Sequence, residues 1–110
     1  MSFVSDDDRF RALANPTRRA LLRLVRDDAR PVGELAAEVG VSQPATSQHL
    51  AVLRDAGLVT VEVDGRRRLY RTNIESLAEV RGFFDEYWSS ALDRLADTAD
   101  AEARQRRRAS

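Results

Sequence analysis

With 110 residues, 43% of them hydrophobic and 33% charged, the chain is large enough for one domain around one core and has no apolar run long enough to span a membrane. It has no cysteine and a single histidine, His49, which excludes disulfides, thiolate chemistry and thiolate metal sites; with no glycine-rich phosphate loop either, nothing points to an enzyme. Net charge is zero but uneven: residues 9–72 carry 12 Arg against 7 acids, residues 73–100 carry 2 Arg against 7 acids, and there is no Lys.

The opening MSFVSDDDR is acidic and lacks a signal-peptide pattern, so a cytoplasmic protein is expected. Ser5 followed by Asp6, Asp7 and Asp8 predicts a helix start, because carboxylates are favourable at the positive end of the helix dipole. Phe3, Val4, Phe10 and Leu13 give this first helix an apolar side. Asn15-Pro16 marks a second start, with Asn as the cap and Pro in the first turn, where its missing N–H has no partner to lose. That helix, about 16–26, gathers Ala20, Leu21, Leu24 and Val25 on one face and Arg18, Arg19, Arg23 and Arg26 on the rest. Residues 27–31 read as a loop. A short helix over about 33–39 turns Leu35, Ala36 and Val39 inward, and Gly40-Val41-Ser42 follows as a tight turn.

The next stretch, 41–58, is the most informative. Ser42 is a good N-cap, Pro44 is tolerated in the first turn, and Gly57 can take the left-handed conformation that ends a helix. At about 100° per residue, Ala45, His49 and Leu53 fall on one side, flanked by Thr46, Leu50 and Val52. Gln43, Pro44, Ser47, Gln48, Ala51 and Arg54 fall on the other, a small, polar face almost free of acid and able to reach base edges and phosphates. Taken alone, this face reads equally well as an ordinary solvated one. The short helix, the glycine turn and the capped second helix together form a helix-turn-helix, and that combination favours DNA binding.

Residues 58–63 alternate with period two, Val59, Val61 and Val63 opposite Thr60 and Glu62, as a strand does. Asp64-Gly65 is a strong hairpin signal, since both residues of such a turn must accept positive φ. Residues 66–72 return as the second strand, with Arg67, Leu69 and Arg71 alternating with Arg66, Arg68 and Tyr70. A hairpin after a helix-turn-helix is the wing of a winged helix. Arg66, Arg67 and Arg68 suit a phosphate clamp; the alternative is a solvated edge strand protected by charge.

Asn73 caps the last segment. Ile74, Leu77, Val80, Phe84, Tyr87, Trp88, Ala91, Leu92 and Leu95 recur at three and four residues, which predicts one amphipathic helix to about Asp100. Its aromatic stripe reads as packing rather than a cofactor box, and no cofactor is expected. A small winged domain cannot bury so wide a stripe alone. The expected partner is a second copy, with an interface of Phe3, Phe10 and Leu13 from the first helix and Phe83, Phe84, Tyr87, Trp88, Ala91, Leu92 and Leu95 from the last. The fold class is thus mainly α with a small β-hairpin, four helices, two strands and a final helix. Residues 1–103 form one winged helix-turn-helix domain with terminal dimerisation helices, and 104–110 a basic, disordered tail.

The stretches LANPTRRALLRLV, GELAAEVGVSQPATSQHLAVLRDAGLV and VDGRRRLYR resemble the ArsR/SmtB-type winged helix-turn-helix regulators over about residues 10–73, and the long last helix fits the same layout. The resemblance implies a homodimeric transcriptional regulator, usually a repressor, that dimerises through its first and last helices. It implies DNA contact at Gln43, Ser47 and Gln48 with help from Thr46 and His49, although the helical wheel sets those two nearer the core. It makes the wing Arg residues backbone or minor-groove contacts. The candidate DNA surface is therefore Ser42, Gln43, Pro44, Thr46, Ser47, Gln48, His49 and Arg54 with Arg66, Arg67, Arg68 and Tyr70. Many relatives sense metals, but the positions matching a familiar Cys-x-Cys pair are Pro31 and Gly33, and a second familiar site needs a His on the last helix that is absent here. Soft or borderline metals want thiolate or imidazole, so no metal site is expected. A hard-cation site at Asp85, Glu86 or Asp93 competes with the plainer reading of solvated acids.

The expected function is a sequence-specific DNA-binding repressor that reads a pseudo-palindromic operator in the major groove of double-stranded DNA, with no membrane role. The alternatives are a winged helix kept for protein contact alone, or a regulator that answers a hard cation or small ligand.

Overall fold

The structure, a computed structural model, describes residues 4–109, so Phe3 lies outside the described residues. The chain falls into two compact units divided after Val80. Its elements in order are α1 (Asp6–Leu13), α2 (Pro16–Leu24), β1 (Arg30–Pro31), α3 (Val32–Val39), α4 (Gln43–Asp55), β2 (Val59–Asp64), β3 (Arg67–Thr72) and α5 (Ile74–Ala109).

Local rules account for the helix starts. The Ser5 hydroxyl accepts from the Asp8 N–H while Asp8 accepts from the Ser5 N–H, a reciprocal box that satisfies two otherwise unpaired donors. These bonds, the backbone one first, hold the exposed Asp8 carboxyl below its ordinary range. The box therefore contributes fully above the ordinary carboxylate pKa and is lost as pH falls through the lowered one. Asn15 accepts from the Arg18 N–H to open α2. The last carbonyls of α1 are taken up by two guanidinium groups of the next helix: Arg18 donates to Ala12 (2.6 Å) and Arg11 (3.0 Å), and Arg19 to Leu13 (2.8 Å).

The core of the first unit gathers one face from each element. Ala12 of α1, Leu21 and Leu22 of α2, Leu35 of α3, Leu50 and Leu53 of α4, and Val59 of β2 are buried together with Val25, Ala56 and Leu58. Leu13 and Tyr70 pack partly against this cluster. Leu13, expected in a dimer interface, and Tyr70, expected on DNA, are each partly accessible as well as packed within their own unit.

The sheet has three antiparallel strands in the order β1-β3-β2. β1 lies in what read as a loop; two residues are too few to show a period. Its Pro31 stands on an edge strand, where a missing N–H is tolerated.

The hairpin turn also differs from expectation. Asp64 pairs with Arg67, so the two-residue loop is Gly65-Arg66 and not Asp64-Gly65. Gly65 has φ 62°, and no described non-glycine residue has positive φ. That pattern fits a type II′ turn, with Gly first, rather than the type I′ turn that Asp-Gly favours. The base of the hairpin sets the register. Thr72 is buried beside Val59, its N–H donates to Val25 and its hydroxyl to Leu22, and the Asn73 N–H donates to Leu58. Counting outward from those bonds brings the turn one residue past the local signal.

α5 is helical through Ala109, where residues 104–110 had been expected to be disordered. Within the first unit, Arg9 of α1 pairs with Glu79 near the start of α5 at 2.8 Å. In the second unit Phe83, Phe84, Tyr87, Trp88, Leu92 and Leu95 are all exposed, from 48% for Phe84 to 65% for Tyr87, and Ala91 is half-buried.

A Cβ on Gly65 would meet nothing within 4 Å, so the position is demanding in backbone conformation only. Gly65→Ala should therefore cost about 1–2 kcal/mol, the penalty of a left-handed L-residue, whereas Asp64→Ala should leave stability nearly unchanged. Urea denaturation of the two variants measures the difference.

Candidate nucleic-acid interface

The turn between α3 and α4 fixes how α4 is presented. Gly40 ends α3 at φ 67°, its N–H donating to Ala36 at 3.0 Å, and the Val41 N–H donates to the same carbonyl. Ser42 then caps α4, its hydroxyl accepting from the Ala45 N–H at 3.2 Å. Pro44 sits in the first turn, as expected. Thr46, Leu50 and Leu53 are fully buried, so the opposite face turns outward: Gln43, Pro44, Ser47, Gln48, Ala51 and Arg54 are all exposed. Asp55, the last residue of α4, is also exposed and is the one acid on this helix. Val52, expected near the core, is also exposed.

Of the expected contact residues on α4, one is withdrawn into the core and one is only partly accessible. Thr46 has no accessible surface and its hydroxyl donates to the Ser42 carbonyl at 2.9 Å, so its side chain belongs to the core and not to a DNA-facing surface. His49 is half-buried, with Nδ1 3.4 Å from an Nη of Arg18.

The wing Arg residues divide by face. Cross-strand pairs place Arg68 opposite Val63 and Tyr70 opposite Val61 on one face, and Arg67 opposite Asp64 and Arg71 opposite Thr60 on the other. Arg67 lies 3.8 Å from Glu34 of α3, a carboxylate that also pairs with Arg30 at 3.4 Å. Arg71 pairs with Glu62 at 3.4 Å. Arg66 and Arg68 are exposed, and among the described residues they have no acidic partner. The hairpin thus holds two occupied guanidinium groups and two open ones. Among the described residues, no three His, Cys, Asp or Glu side chains gather as a metal-holding group.

Residues 13–62, which span α2 to β2, match the profile of a helix-turn-helix domain. Over 101 residues the chain is 41% identical to the HTH-type transcriptional regulator Rv2034 of Mycobacterium tuberculosis, covering 92% of this chain and 94% of that one. A crystal structure described as a possible transcriptional regulator for arsenical resistance superposes with a TM-score of 0.68 at 46% identity, over 81% of this chain and 93% of its own. The solution structure of the homodimeric winged helix-turn-helix DNA-binding domain of Mb0332 from Mycobacterium bovis, a possible ArsR-family transcriptional regulator, superposes with a TM-score of 0.60 at 28% identity, over 81% and 80%. The chain belongs to the ArsR family of winged helix-turn-helix regulators. It is a DNA-binding transcriptional regulator, and α3–α4 with the β2–β3 wing are its helix-turn-helix and wing.

Two features of this ArsR-family fold were not visible in the sequence. Arg18 read only as part of a charged helix face. An Arg shortly after a helix-ending Asn-Pro is well placed to reach back to the preceding carbonyls, but its approach to His49, 31 positions away, has no local signature. Glu34 has no local signature as a pairing residue either, and only the fold brings it beside β1 and the wing.

Proposed function

We propose that the chain acts as a homodimeric transcriptional repressor. In this reading two α4 helices enter successive major grooves of a pseudo-palindromic operator, and no Cys/His metal site takes part. The observation that carries it is the polar outward face of α4, with Gln43, Ser47 and Gln48 exposed along its first half, Arg54 near its end and a single acid, Asp55, at its last residue. Gln can pair with adenine through N6 and N7, and Ser can serve several bases. Ser42 and Pro44 border that surface at the start of the helix, where N–H groups face phosphates. The open Arg66 and Arg68 supply backbone contacts, and Arg67 is secondary because it already has a carboxylate. The exposed stripe from Phe83 to Leu95 supports a second copy as partner, with Phe10 of α1 contributing, and the Mb0332 domain is homodimeric. With DNA as its ligand, the protein belongs in the cytoplasm; no described helix is long and apolar enough to cross a membrane.

Selection of duplexes from a random pool tests the reading. Wild type should return half-sites about one helical turn apart. Gln48→Ala should relax one position in each half-site, costing roughly 1–3 kcal/mol there, with fold and assembly intact. A pool with no enriched motif would instead favour a winged helix used for protein contact.

The wing should add affinity without choosing sequence. Replacing Arg66 and Arg68 together by Ala should weaken all duplexes and flatten the salt dependence by about 0.9 units of slope for each phosphate no longer neutralised. Arg67→Ala should flatten it less. An unchanged slope in the double variant would mean these side chains are only solvated.

Trp88→Glu should yield a monomer and weaken DNA binding in parallel, read by sedimentation and by titration of the selected duplex. Wild type sedimenting as a monomer at micromolar concentration would remove the dimer from the proposal.

A further inference from the structure

Arg18 sits where three helices meet. Its backbone N–H closes the Asn15 cap at the start of α2. Its Nε donates to the Ala12 carbonyl at 2.6 Å and one Nη to the Arg11 carbonyl at 3.0 Å, both at the end of α1. Its other Nη lies 3.4 Å from Nδ1 of His49, on α4. Asp8 and Asp55 line the same cleft, yet neither forms an ion pair with Arg18. Two carbonyl bonds fix a planar guanidinium more rigidly than one contact on a flexible stem would.

That geometry determines a tautomer. A guanidinium has five N–H donors and no acceptor, so a hydrogen bond to Nδ1 requires Nδ1 to be unprotonated. The neutral ring then carries its hydrogen on Nε2, on the side of the ring turned away from Arg18. His49 is half-buried beside the exposed Gln48, and among the described residues Nε2 has no hydrogen-bond partner.

We propose that Arg18 is a positioning residue for DNA recognition: anchored on the α1 carbonyls, it holds His49 with Nδ1 as acceptor and presents Nε2–H from α4 as a fixed donor. The acceptors such a donor suits are a phosphate oxygen or the N7, O6 and O4 positions that purines and thymine display in the major groove. The inference rests on the regulator reading for its DNA half only; the Arg18–His49 contact is a property of the free protein.

The chain has a single histidine, so its ring nitrogens can be read without assignment. Long-range ¹H–¹⁵N correlation on the full chain in alkaline buffer should show Nδ1 unprotonated and hydrogen-bonded and Nε2 protonated. Arg18→Lys keeps the charge but loses the fork, and should move Nδ1 toward its free-imidazole position. A proton on Nδ1 in wild type, or a spectrum unmoved in Arg18→Lys, overturns the contact. Should Arg18 variants fail to fold, the wild-type spectrum and two His49 variants decide. His49→Gln retains a donor near Nε2, and His49→Asn an acceptor near Nδ1. On the duplex that wild type selects, His49→Asn should lose about tenfold in affinity and His49→Gln about threefold or less. Equal losses would overturn the donor role. A pool that yields no preferred duplex would count against the regulator reading itself, while the spectrum still decides the contact.

Discussion

The architecture depends on burying one side of a thirteen-residue helix. Thr46, Leu50 and Leu53 have no exposed surface, and the residues that meet them come from α1, α2, α3 and β2. Burying a large aliphatic side chain is worth about 1.5–3 kcal/mol, so rotating α4 by even one position would expose leucine and bury glutamine. The hydrophobic core therefore decides which side chains reach solvent. A reading surface on this fold needs no interactions of its own to hold it: Gln43, Ser47 and Gln48 are oriented by what lies behind them.

Charge is distributed by a comparable logic. The hairpin has both surplus and satisfied guanidinium groups, and the sheet register separates them, with Arg68 on one face and Arg67 and Arg71 on the other. Exposed pairs such as Arg71–Glu62 are worth little in stability. Their effect is on the field, because a cation already beside a carboxylate adds less to what an approaching polyanion meets. A zero net charge is compatible with nucleic-acid binding for this reason: many of the acids lie on the last helix or beside paired Arg residues, and α4 carries only Asp55, at its end.

Much of this was legible in the chain. Ser42, Gly57 and Asn15 act through rules a few residues long, and the predicted caps are found. The two faces of α4 followed from a 100° wheel, and the wheel placed Thr46 with the core even though family resemblance suggested contact with DNA; the hydroxyl is satisfied by the helix itself. What was missed depends on distant partners. The Asp64-Gly65 signal yielded to bonds that Thr72 and Asn73 make with Val25 and Leu58. β1 was too short to have a period. The exposed aromatic stripe of α5 was plain from its spacing, but spacing alone could not say that the helix continues through the Arg-rich end.

Glu34 has a wider consequence. One carboxylate serves both Arg30 of the edge strand and Arg67 of the wing. A duplex recruiting Arg67 has to displace a tethered anion that cannot diffuse away, and what remains beside the new contact is a negative charge facing a negative backbone. The pair is more than half exposed on both sides, so its consequence lies in the field around the wing and not in the stability of the hairpin.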